Sequence, residues 1–371
     1  MKIAIQAADL DHERIDGTRV YILNLLRQFG KLDQDSEFLI YHKNKFNPEL
    51  APPEFSNYRI IQRYFPFLWT QIRFALEVWK NKPDVLWMPM AALPLLRRKK
   101  IKSVVTIHDL AFKYFPEYFT TKDLRKLNFL ADFSIRNADK IIAISEATKR
   151  DIQNFYPQIS VEKIGVIHHG FSADVFASPR DLVKEIEVKE SLGIEGDYIL
   201  YSGAIQPRKN LETLIKAFEI FKSESGSKIK LVLAGEKAWL WENIEKMATE
   251  SQFNMDIIMP GRVKFNAVGH LFRGASVFVY PSLYEGFGIT ILEAFAAGVP
   301  LITADNSSLR EVGGNGALYF NAQDSNELSR QIKTILNDEN LRNDLAARGG
   351  EIIKNFSWEK CARETLEFLK S

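Results

Sequence analysis

Short apolar runs alternate with amphipathic helical patterns along the whole chain, and few architectures accommodate that alternation. Each run has four to six residues, with seven runs in the first half and six in the second. Runs of this length predict buried strands, and strands that alternate with helices predict mostly parallel sheets. The predicted strands are Lys2–Ala7, Phe38–His42, Arg59–Gln62, Val85–Met88, Ser103–His108, Lys140–Ser145, Gly165–His168, Tyr198–Ser202, Lys230–Ala234, Asp256–Met259, Ser276–Tyr280, Leu301–Ala304 and Ala317–Phe320. We therefore expect an α/β fold with two Rossmann-like, doubly wound domains.

The length of 371 residues also favours two domains, because a single hydrophobic core rarely grows that large. The stretch from about 171 to 196 has many charges and no strand pattern, so we predict the connection between the domains there. The predicted domains are residues 1–180 and residues 181–356. A final helical pattern follows Ser357, which stands where an N-cap is preferred.

Composition restricts the class of protein further. Hydrophobic residues make up 46% of the chain and charged residues 26%, which is typical of a globular protein. No apolar run is long enough to span a bilayer, and the charged start leads directly into a predicted strand instead of a signal peptide. The single cysteine, Cys361, cannot form an internal disulfide, so we expect a reduced, cytoplasmic compartment and a packing role for this residue.

The net charge of +2 hides an asymmetry between the two halves. Residues 1–180 carry 27 Lys/Arg against 20 Asp/Glu, whereas residues 181–371 carry 22 against 27. A basic half, with Arg97–Lys100 as its densest cluster, favours an acidic partner such as anionic lipid, a lipid-linked phosphate or nucleic acid. No nucleic-acid-binding module is recognisable, so we expect no nucleic acid. A solvated basic face without a partner remains an equal alternative.

An aromatic and basic segment, Tyr64–Trp69, continues through Arg73, Phe74 and Trp79. Two interpretations stay open for it. The rings can belong to the core, with the charges solvated, or the segment can lie against a membrane surface at the inner face of the membrane.

The strongest chemical signal is the stretch from Pro281 to Pro300, in which a predicted strand runs through a glycine-containing turn into a helix. Glycines allow the backbone to approach a ligand, and the free N–H groups of a helix start bind anions. Glu285 precedes this helix and Glu293 lies about two turns inside it. A carboxylate beside an anion site is suited to accept hydrogen bonds from neutral hydroxyls. A phosphate next to hydroxyl groups is what a sugar nucleotide offers.

A second motif, from Tyr201 to Asn210, follows the first predicted strand of the second domain. Gly203 frees the turn, and Arg208 and Lys209 bring two cations to the carboxyl end of the strand, where α/β sheets bind ligands. Arginine can bind phosphate oxygens in a fork, and lysine adds a point charge. Phosphate oxygens are therefore the expected ligands of this pair.

Histidines lie at the ends of two predicted strands in the first half. His108 and Asp109 end one of them, where a histidine could donate to a sugar hydroxyl or steady a departing phosphate. His168 and His169 could suggest a metal, but neighbouring residues of a strand point to opposite faces and no third ligand lies nearby. We therefore expect no metal site. No dinucleotide fingerprint follows either first strand.

The string Pro-Ser-x2-Glu-Gly-Phe-Gly-x4-Glu-Ala-x3-Gly-x-Pro resembles the Glu-x7-Glu signature of retaining GT-B glycosyltransferases of family 4, and the resemblance extends over nearly the whole chain. It implies two Rossmann-like domains that face across a cleft, with a terminal helix, 357–371, packed back on the first domain. The first domain would take the acceptor and the second the nucleotide sugar. The chain departs from the family at Ala204, where many relatives have arginine. It departs again in the predicted loop Gly17–Arg19, ahead of an amphipathic helical pattern from Val20 to Phe29, because relatives often have two glycines there and this chain has one.

The resemblance also implies roles for individual residues. The implied catalytic residues are His108, Asp109, Arg208, Lys209 and Glu285. The implied donor-binding residues are Gly17, Gly203, Val263, Gly286, Phe287, Gly288, Ile289, Thr290 and Glu293. Glu285 would hold sugar hydroxyls, Glu293 the ribose, and the turn around Val263 the nucleobase.

The predicted function is therefore that of a retaining glycosyltransferase, which moves a hexosyl group from a UDP- or GDP-sugar to a hydroxyl of a glycan or lipid-linked acceptor. Cell-surface polysaccharide synthesis is the expected process, and neither a cofactor nor a divalent metal is expected. Two alternatives remain: a catalytically silent sugar-nucleotide-binding scaffold subunit, and another GT-B enzyme such as a sugar-nucleotide epimerase.

Overall fold

The computed structural model describes the chain from Met1 to Ser371 and divides it into two compact units. The first unit contains Met1–Gly170 together with Ser357–Ser371, and the second contains Phe171–Phe356. The boundary predicted at residue 180 lies ten residues further along the chain. Residues 171–180 belong to the second unit because Val175 packs against Gly269 there. None of the helices combines the length and the apolar character that crossing a bilayer requires.

The first unit is built on a parallel sheet of seven strands with the order β3-β2-β1-β4-β5-β6-β7. Its strands are β1 Lys2–Gln6, β2 Glu37–His42, β3 Tyr58–Gln62, β4 Val85–Met88, β5 Lys102–Ile107, β6 Lys140–Ala143 and β7 Ile164–Val166. Its first helices are α1 Gly17–Leu32, α2 Ala75–Asn81, α3 Ala111–Tyr114, α4 Thr121–Asn137 and α5 Glu146–Phe155. Part of the core lies on one face of this sheet, where Leu86, Val105 and Ile141 are completely buried.

The second unit repeats this plan with a parallel sheet of six strands in the order β10-β9-β8-β11-β12-β13. Its strands are β8 Tyr198–Ser202, β9 Lys230–Ala234, β10 Ile257–Gly261, β11 Val277–Tyr280, β12 Leu301–Ala304 and β13 Ala317–Phe320. Its helices are α6 Ala173–Phe176, α7 Leu182–Ser191, α8 Leu211–Ser225, α9 Glu242–Glu250, α10 Phe265–Arg273, α11 Ile289–Ala296, α12 Leu309–Gly313, α13 Ser325–Asn337 and α14 Glu339–Ile352.

The last helix, α15 (Trp358–Lys370), returns to the first unit. Ser357 caps it by accepting a hydrogen bond from the backbone N–H of Lys360 at 3.1 Å. Its end is held by an ion pair of 2.8 Å between Lys370 and Asp33. The backbone of its first residue passes so close to Gly170 that a Cβ there would stand 2.1 Å from Trp358 N. Only glycine fits at this crossing.

All thirteen predicted strands are present, and the prediction of a doubly wound α/β fold is confirmed. Element ends differ where a side chain caps the following helix. β6 stops at Ala143 because Ser145 accepts a hydrogen bond from Thr148 N at 2.9 Å and begins α5. β10 runs on to Gly261, two residues beyond its predicted end.

Candidate functional site

Three glycines shape the loops at the carboxyl ends of β8, β9 and β10. Gly203, Gly235 and Gly261 have φ values of 153°, 154° and 77°, which disfavour other residues. The backbone N–H of Gly203 donates to Ala234 O, and that of Gly235 donates to Gly261 O, each at 2.9 Å. A Cβ on Gly235 would stand 1.8 Å from Gly203 O. Gly235 was not among the predicted site residues, although its place directly after a strand was an available signal.

A short turn, Pro207–Lys209, follows β8 and contains the two predicted cations, Arg208 and Lys209. It is fastened to neighbouring loops by Asn210, whose Nδ2 donates to Pro281 O at 3.0 Å and to Ala322 O at 2.7 Å. Leu283 N donates to Arg208 O at 2.9 Å. Because β8 lies beside β11 in the sheet, these bonds bring the motif around Arg208 next to the motif around Glu285.

Glu285 is paired with both cations. Its Oε1 lies 2.6 Å from Lys209 Nζ, and its Oε2 lies 3.2 Å from Arg208 Nη1. Lys209 Nζ also donates to the hydroxyl of Tyr280 at 3.2 Å. Burial by itself would raise the pKa of Glu285, but Lys209 and Arg208 outweigh it and lower this pKa to about 2. Ligand hydroxyl groups were the partners predicted for Glu285 from the sequence, and the structure adds direct ion pairs with both cations.

The first turn of α11, at Ile289 and Thr290, is half-buried. Its N-cap, Gly288, has a φ of 97° and no side chain caps the helix, so the first-turn N–H groups of Ile289 and Thr290 have no cap. Ser308 Oγ fixes the preceding loop, because it is 2.9 Å from both Glu285 O and Phe287 O. The ring of Phe287 is buried against Phe356, with centroids 5.9 Å apart.

Glu293, on α11, is in a different environment from Glu285. The residue as a whole is half-buried, and its carboxylate forms no hydrogen bond or ion pair. Burial raises its pKa to about 7. The pKa of Glu285 is therefore far below neutral pH, whereas the pKa of Glu293 is close to it.

Val263 lies in the loop after β10, at the same carboxyl edge of the sheet as the cations. It is partly exposed, and the preceding Arg262 pairs with Glu236 at 3.1 Å. In the sheet order, β9 and β8 separate this loop from β11, so Val263 borders the site at a distance from Glu285.

In the first unit, His108 directly follows β5. Its Nε2 donates to Pro89 O at 2.8 Å, and the ring of Tyr21 meets it edge-on at 5.1 Å. Burial lowers the pKa of His108 despite the hydrogen bond to Pro89, which keeps the ring neutral at pH 7. With Nε2 occupied, Nδ1 can only accept a hydrogen bond. The neighbouring Asp109 accepts from Ala111 N at 3.0 Å and so stabilises a turn.

Gly17 is the first residue of α1, whereas the predicted place for it was a loop ahead of a helix beginning at Val20. That placement was wrong, because Asp16 caps the helix by accepting from Arg19 N at 3.2 Å. Gly17 is exposed, and a Cβ would meet nothing within 4 Å. No group of three or more His, Cys, Asp or Glu side chains is arranged to hold a metal ion. His169 is buried and stacks on Tyr21 with centroids 4.7 Å apart.

Both units of the chain match models of known protein families. The model of Glycosyltransferase Family 4 matches residues 15–175, and the model of Glycosyl transferases group 1 matches residues 183–351. O-antigen chain mannosyltransferase B of Escherichia coli is 31% identical over 274 residues, which cover 72% of this chain and 70% of that protein. The chain belongs to glycosyltransferase family 4.

Other relatives of this glycosyltransferase agree with the assignment. O-antigen chain mannosyltransferase RfbU of Salmonella typhimurium is 28% identical over 280 residues, covering 76% of this chain and 72% of that protein. Among solved structures, HepE of Anabaena in complex with UDP and glucose superposes with a TM-score of 0.75. That comparison covers 100% of this glycosyltransferase and 99% of HepE at 17% sequence identity, so it shows the fold, which is GT-B.

Proposed function

We propose that this glycosyltransferase moves a hexosyl group from a UDP- or GDP-sugar to a hydroxyl of a glycan or lipid-linked acceptor, with retention of the anomeric configuration. The names of two relatives, both O-antigen chain mannosyltransferases, support mannose as the first hexose to test. They also support cell-surface polysaccharide synthesis as the process. The presence of UDP and glucose in the HepE structure supports a nucleotide sugar as donor.

The observation that carries this proposal is the pairing of Arg208 and Lys209 with Glu285, which stands four residues before the uncapped start of α11. Two cations and free backbone N–H groups at one sheet edge provide a field suited to a diphosphate. Negative charge grows on the diphosphate as the sugar leaves, so this field stabilises the transition state more than the ground state. A divalent metal is not required for that task.

Glu285 then has a defined part in donor recognition. Because Lys209 and Arg208 fix both of its oxygens and keep it ionised, it is a rigid acceptor for sugar hydroxyls beside the diphosphate. The bound diphosphate shares the two cations with Glu285. Glu293, which has no partner of its own, would accept the ribose hydroxyls.

No carboxylate is clearly placed as a covalent nucleophile, so we propose front-side displacement. The acceptor oxygen bonds to the anomeric carbon on the face that the diphosphate leaves, and a departing phosphate oxygen takes the acceptor proton. His108 would accept a hydrogen bond from a sugar hydroxyl through Nδ1, since its Nε2 is committed to Pro89. The first unit is proposed to bind the acceptor. We place the reaction in the cytoplasm, peripheral to the inner face of the membrane, where a lipid-linked acceptor would be presented.

The first experiment is a screen of UDP- and GDP-sugars, GDP- and UDP-mannose included, for thermal stabilisation and for sugar transfer. A donor at a hundred times its dissociation constant should add about 2.7 kcal/mol to the free energy of unfolding. Proton NMR of the product then reports the anomeric configuration. An inverted product would contradict the retaining mechanism, and the absence of transfer with every donor would favour the silent scaffold.

The second experiment removes the proposed diphosphate site. Arg208→Ala/Lys209→Ala should lower turnover at least ~100-fold, because two charge-assisted contacts to the leaving group are lost. A matched control is Arg330→Ala/Lys333→Ala on α13, whose side chains are at least half exposed. Near-normal turnover of the first variant would place the phosphate site elsewhere. Circular dichroism on both variants checks that loss of activity does not reflect unfolding around the buried Glu285.

A further inference from the structure

Three consecutive polar residues in the loop after β12 are hydrogen-bonded to the loop that contains Glu285. β12 lies beside β11 in the sheet, so the two loops leave the same edge next to each other. The three side chains contact backbone atoms on both sides of Glu285. We call these residues the clamp: Asn306, Ser307 and Ser308.

The first two members of the clamp form a chain of hydrogen bonds. The backbone N–H of Glu285 donates to Ser307 Oγ at 3.0 Å, and this hydroxyl donates to Asn306 Oδ1 at 3.0 Å. Asn306 Nδ2 in turn donates to Ser282 O at 3.0 Å. The hydroxyl of Ser307 therefore accepts and donates at once, and bonds linked in this way strengthen one another.

The third member, Ser308, connects the clamp to the start of α11. Its side chain is completely buried, and its Oγ lies 2.9 Å from both Glu285 O and Phe287 O. Phe287 directly precedes Gly288, the N-cap of α11. The next residue, Leu309, also borders this N-cap, since a Cβ on Gly288 would stand 3.1 Å from Leu309 Cδ2. The clamp thus extends from Glu285 to the helix start.

Ser307 is held in a strained backbone conformation. Its φ of 43° lies in the left-handed region, where glycine and asparagine are favoured. A glycine would form this turn with less strain, but it would lack the hydroxyl that accepts from Glu285. Strained residues of this kind concentrate where a function requires the geometry.

Glu285 is consequently fixed at both ends. The clamp holds its backbone N–H and C=O, while Lys209 and Arg208 hold its carboxylate at 2.6 and 3.2 Å. The two cations alone leave the backbone of the loop free to shift. A shift of about 1 Å in a catalytic site can lower turnover ~100-fold, so the backbone contacts matter for a carboxylate that orients a sugar.

We propose that the clamp is a set of positioning residues that act on sugar transfer through Glu285 and the start of α11. Ser307 fixes the backbone from which the Glu285 carboxylate extends. Ser308 fixes the same residue and, through Phe287, the first turn of α11. The role rests on the proposed function, because Glu285 and α11 are its donor-binding groups.

Two substitutions of Ser307 separate positioning from folding. Ser307→Gly removes the hydroxyl and relieves the strain, so the urea midpoint should stay near that of the unchanged chain. Turnover should fall at least ~10-fold, because the backbone of Glu285 is released. Ser307→Thr keeps the hydroxyl but puts a branched Cβ at positive φ, so it should lower the urea midpoint and keep most of the turnover. Turnover that follows stability in both variants would overturn the proposal.

Nucleotide affinity distinguishes the two serines. Calorimetry with UDP and GDP should give dissociation constants for Ser307→Gly within ~2-fold of the unchanged chain, since a contact to the transferred sugar affects kcat and not nucleotide binding. Ser308→Ala should weaken the nucleotide at least ~3-fold in addition to lowering turnover, because the start of α11 loses its anchor. Equal weakening in both variants would contradict the separate action of Ser307 on Glu285.

Hydrogen exchange tests the clamp without any sugar transfer. In Ser307→Gly the amide of Glu285 loses its acceptor and should exchange at least ~10-fold faster. The matched control is Lys82→Gly, which places a glycine at another left-handed residue, exposed at the end of α2 with a φ of 45°. Exchange at Glu285 and turnover should both be unchanged in this control.

The two readouts also separate this proposal from the proposed function. Faster exchange in Ser307→Gly, in a chain that transfers no sugar from any donor, would sink the proposed function and leave the clamp standing. Sugar transfer by the unchanged chain, with full turnover and unaltered exchange in Ser307→Gly, would overturn the clamp alone.

Discussion

Two glutamates of one short motif have opposite ionisation behaviour, and this separates their proposed roles. Glu285 is held ionised by two cations, with its pKa lowered to about 2. Glu293 has no partner and its pKa is raised to about 7 by burial. A spacing of eight residues in the sequence could not reveal this contrast, since the partners of Glu285 lie 76 and 77 residues away in the chain.

Calorimetry on two variants tests the division of roles. Glu285→Gln frees Arg208 and Lys209 for the diphosphate, so affinity for UDP or GDP should stay unchanged or rise by up to about 1.4 kcal/mol, a factor of ten, while turnover falls. Glu293→Ala should weaken the same nucleotides by about 1–3 kcal/mol, because hydrogen bonds to a charged group are lost. Equal losses in both variants would show that the roles are assigned wrongly.

The raised pKa of Glu293 predicts a pH dependence of nucleotide binding. Ribose hydroxyls donate to the ionised carboxylate and favour it, so binding lowers the pKa and releases a proton. Affinity should therefore increase from about pH 5.5 to 8 in the unchanged chain. Because a nucleotide phosphate itself titrates near 6, the measurement is the difference from Glu293→Gln in calorimetric titrations at several pH values. An identical pH profile for the two proteins would contradict a ribose contact by Glu293.

Among the loop glycines, Gly235 is the position where an added Cβ would make the closest contact. Gly235→Ala would put a Cβ 1.8 Å from Gly203 O at a φ of 154°, so the loop that leads to Arg208 must move. Stability should fall by at least about 2 kcal/mol, and affinity for nucleotide should fall with it. Gly350→Ala is the control, because nothing lies within 4 Å of its Cβ in α14 and an alanine favours a helix by about 0.5–1 kcal/mol. Urea unfolding measures the free energy of unfolding of both variants. Equal values would show that the loops after β8 and β9 are not tightly coupled.

Periodicity located the secondary-structure elements better than their ends. Apolar runs are long enough to mark every strand, since a buried parallel strand needs few polar residues. Ends depend on single side chains: Asp16 starts α1 three residues before the apolar pattern does, and Ser145 takes over from β6. The bonds from Asn210 to two distant loops are equally invisible in a local pattern. These bonds fix the positions of Arg208 and Lys209, so the periodicity of the sequence could not predict the geometry of the site.

For the molecule as a whole, we predict catalysis without a divalent metal. Arg208, Lys209 and the start of α11 supply the positive field that a metal would otherwise give the diphosphate. Turnover should therefore be unchanged after incubation with EDTA. The same assay with added magnesium or manganese is the control. Loss of activity on chelation, restored by manganese, would contradict the proposed phosphate site.

The general architecture was predictable from the alternation of strands and helices, but the strand orders were not. The order of strands in a sheet depends on the side of the preceding strand to which each crossover connection brings the next strand. The sequence pattern contains little information about that side. The charge asymmetry was visible in the composition. The exposure of the individual rings in Tyr64–Trp69 was not visible: Tyr64 and Phe67 are exposed and Trp69 is buried, and the composition of the segment fits either state.

The first unit is interrupted by the second, and this has a consequence for how the chain is made. It leaves the first unit at Gly170 and returns at Ser357, beside the point of departure. During synthesis, the surface of α1 that α15 covers stays bare until the second unit has been translated, on the order of 10–40 s at 5–20 residues per second. The unit that begins first on the ribosome is thus finished last, and a nascent chain with an uncovered α1 is the species that chaperones would have to protect.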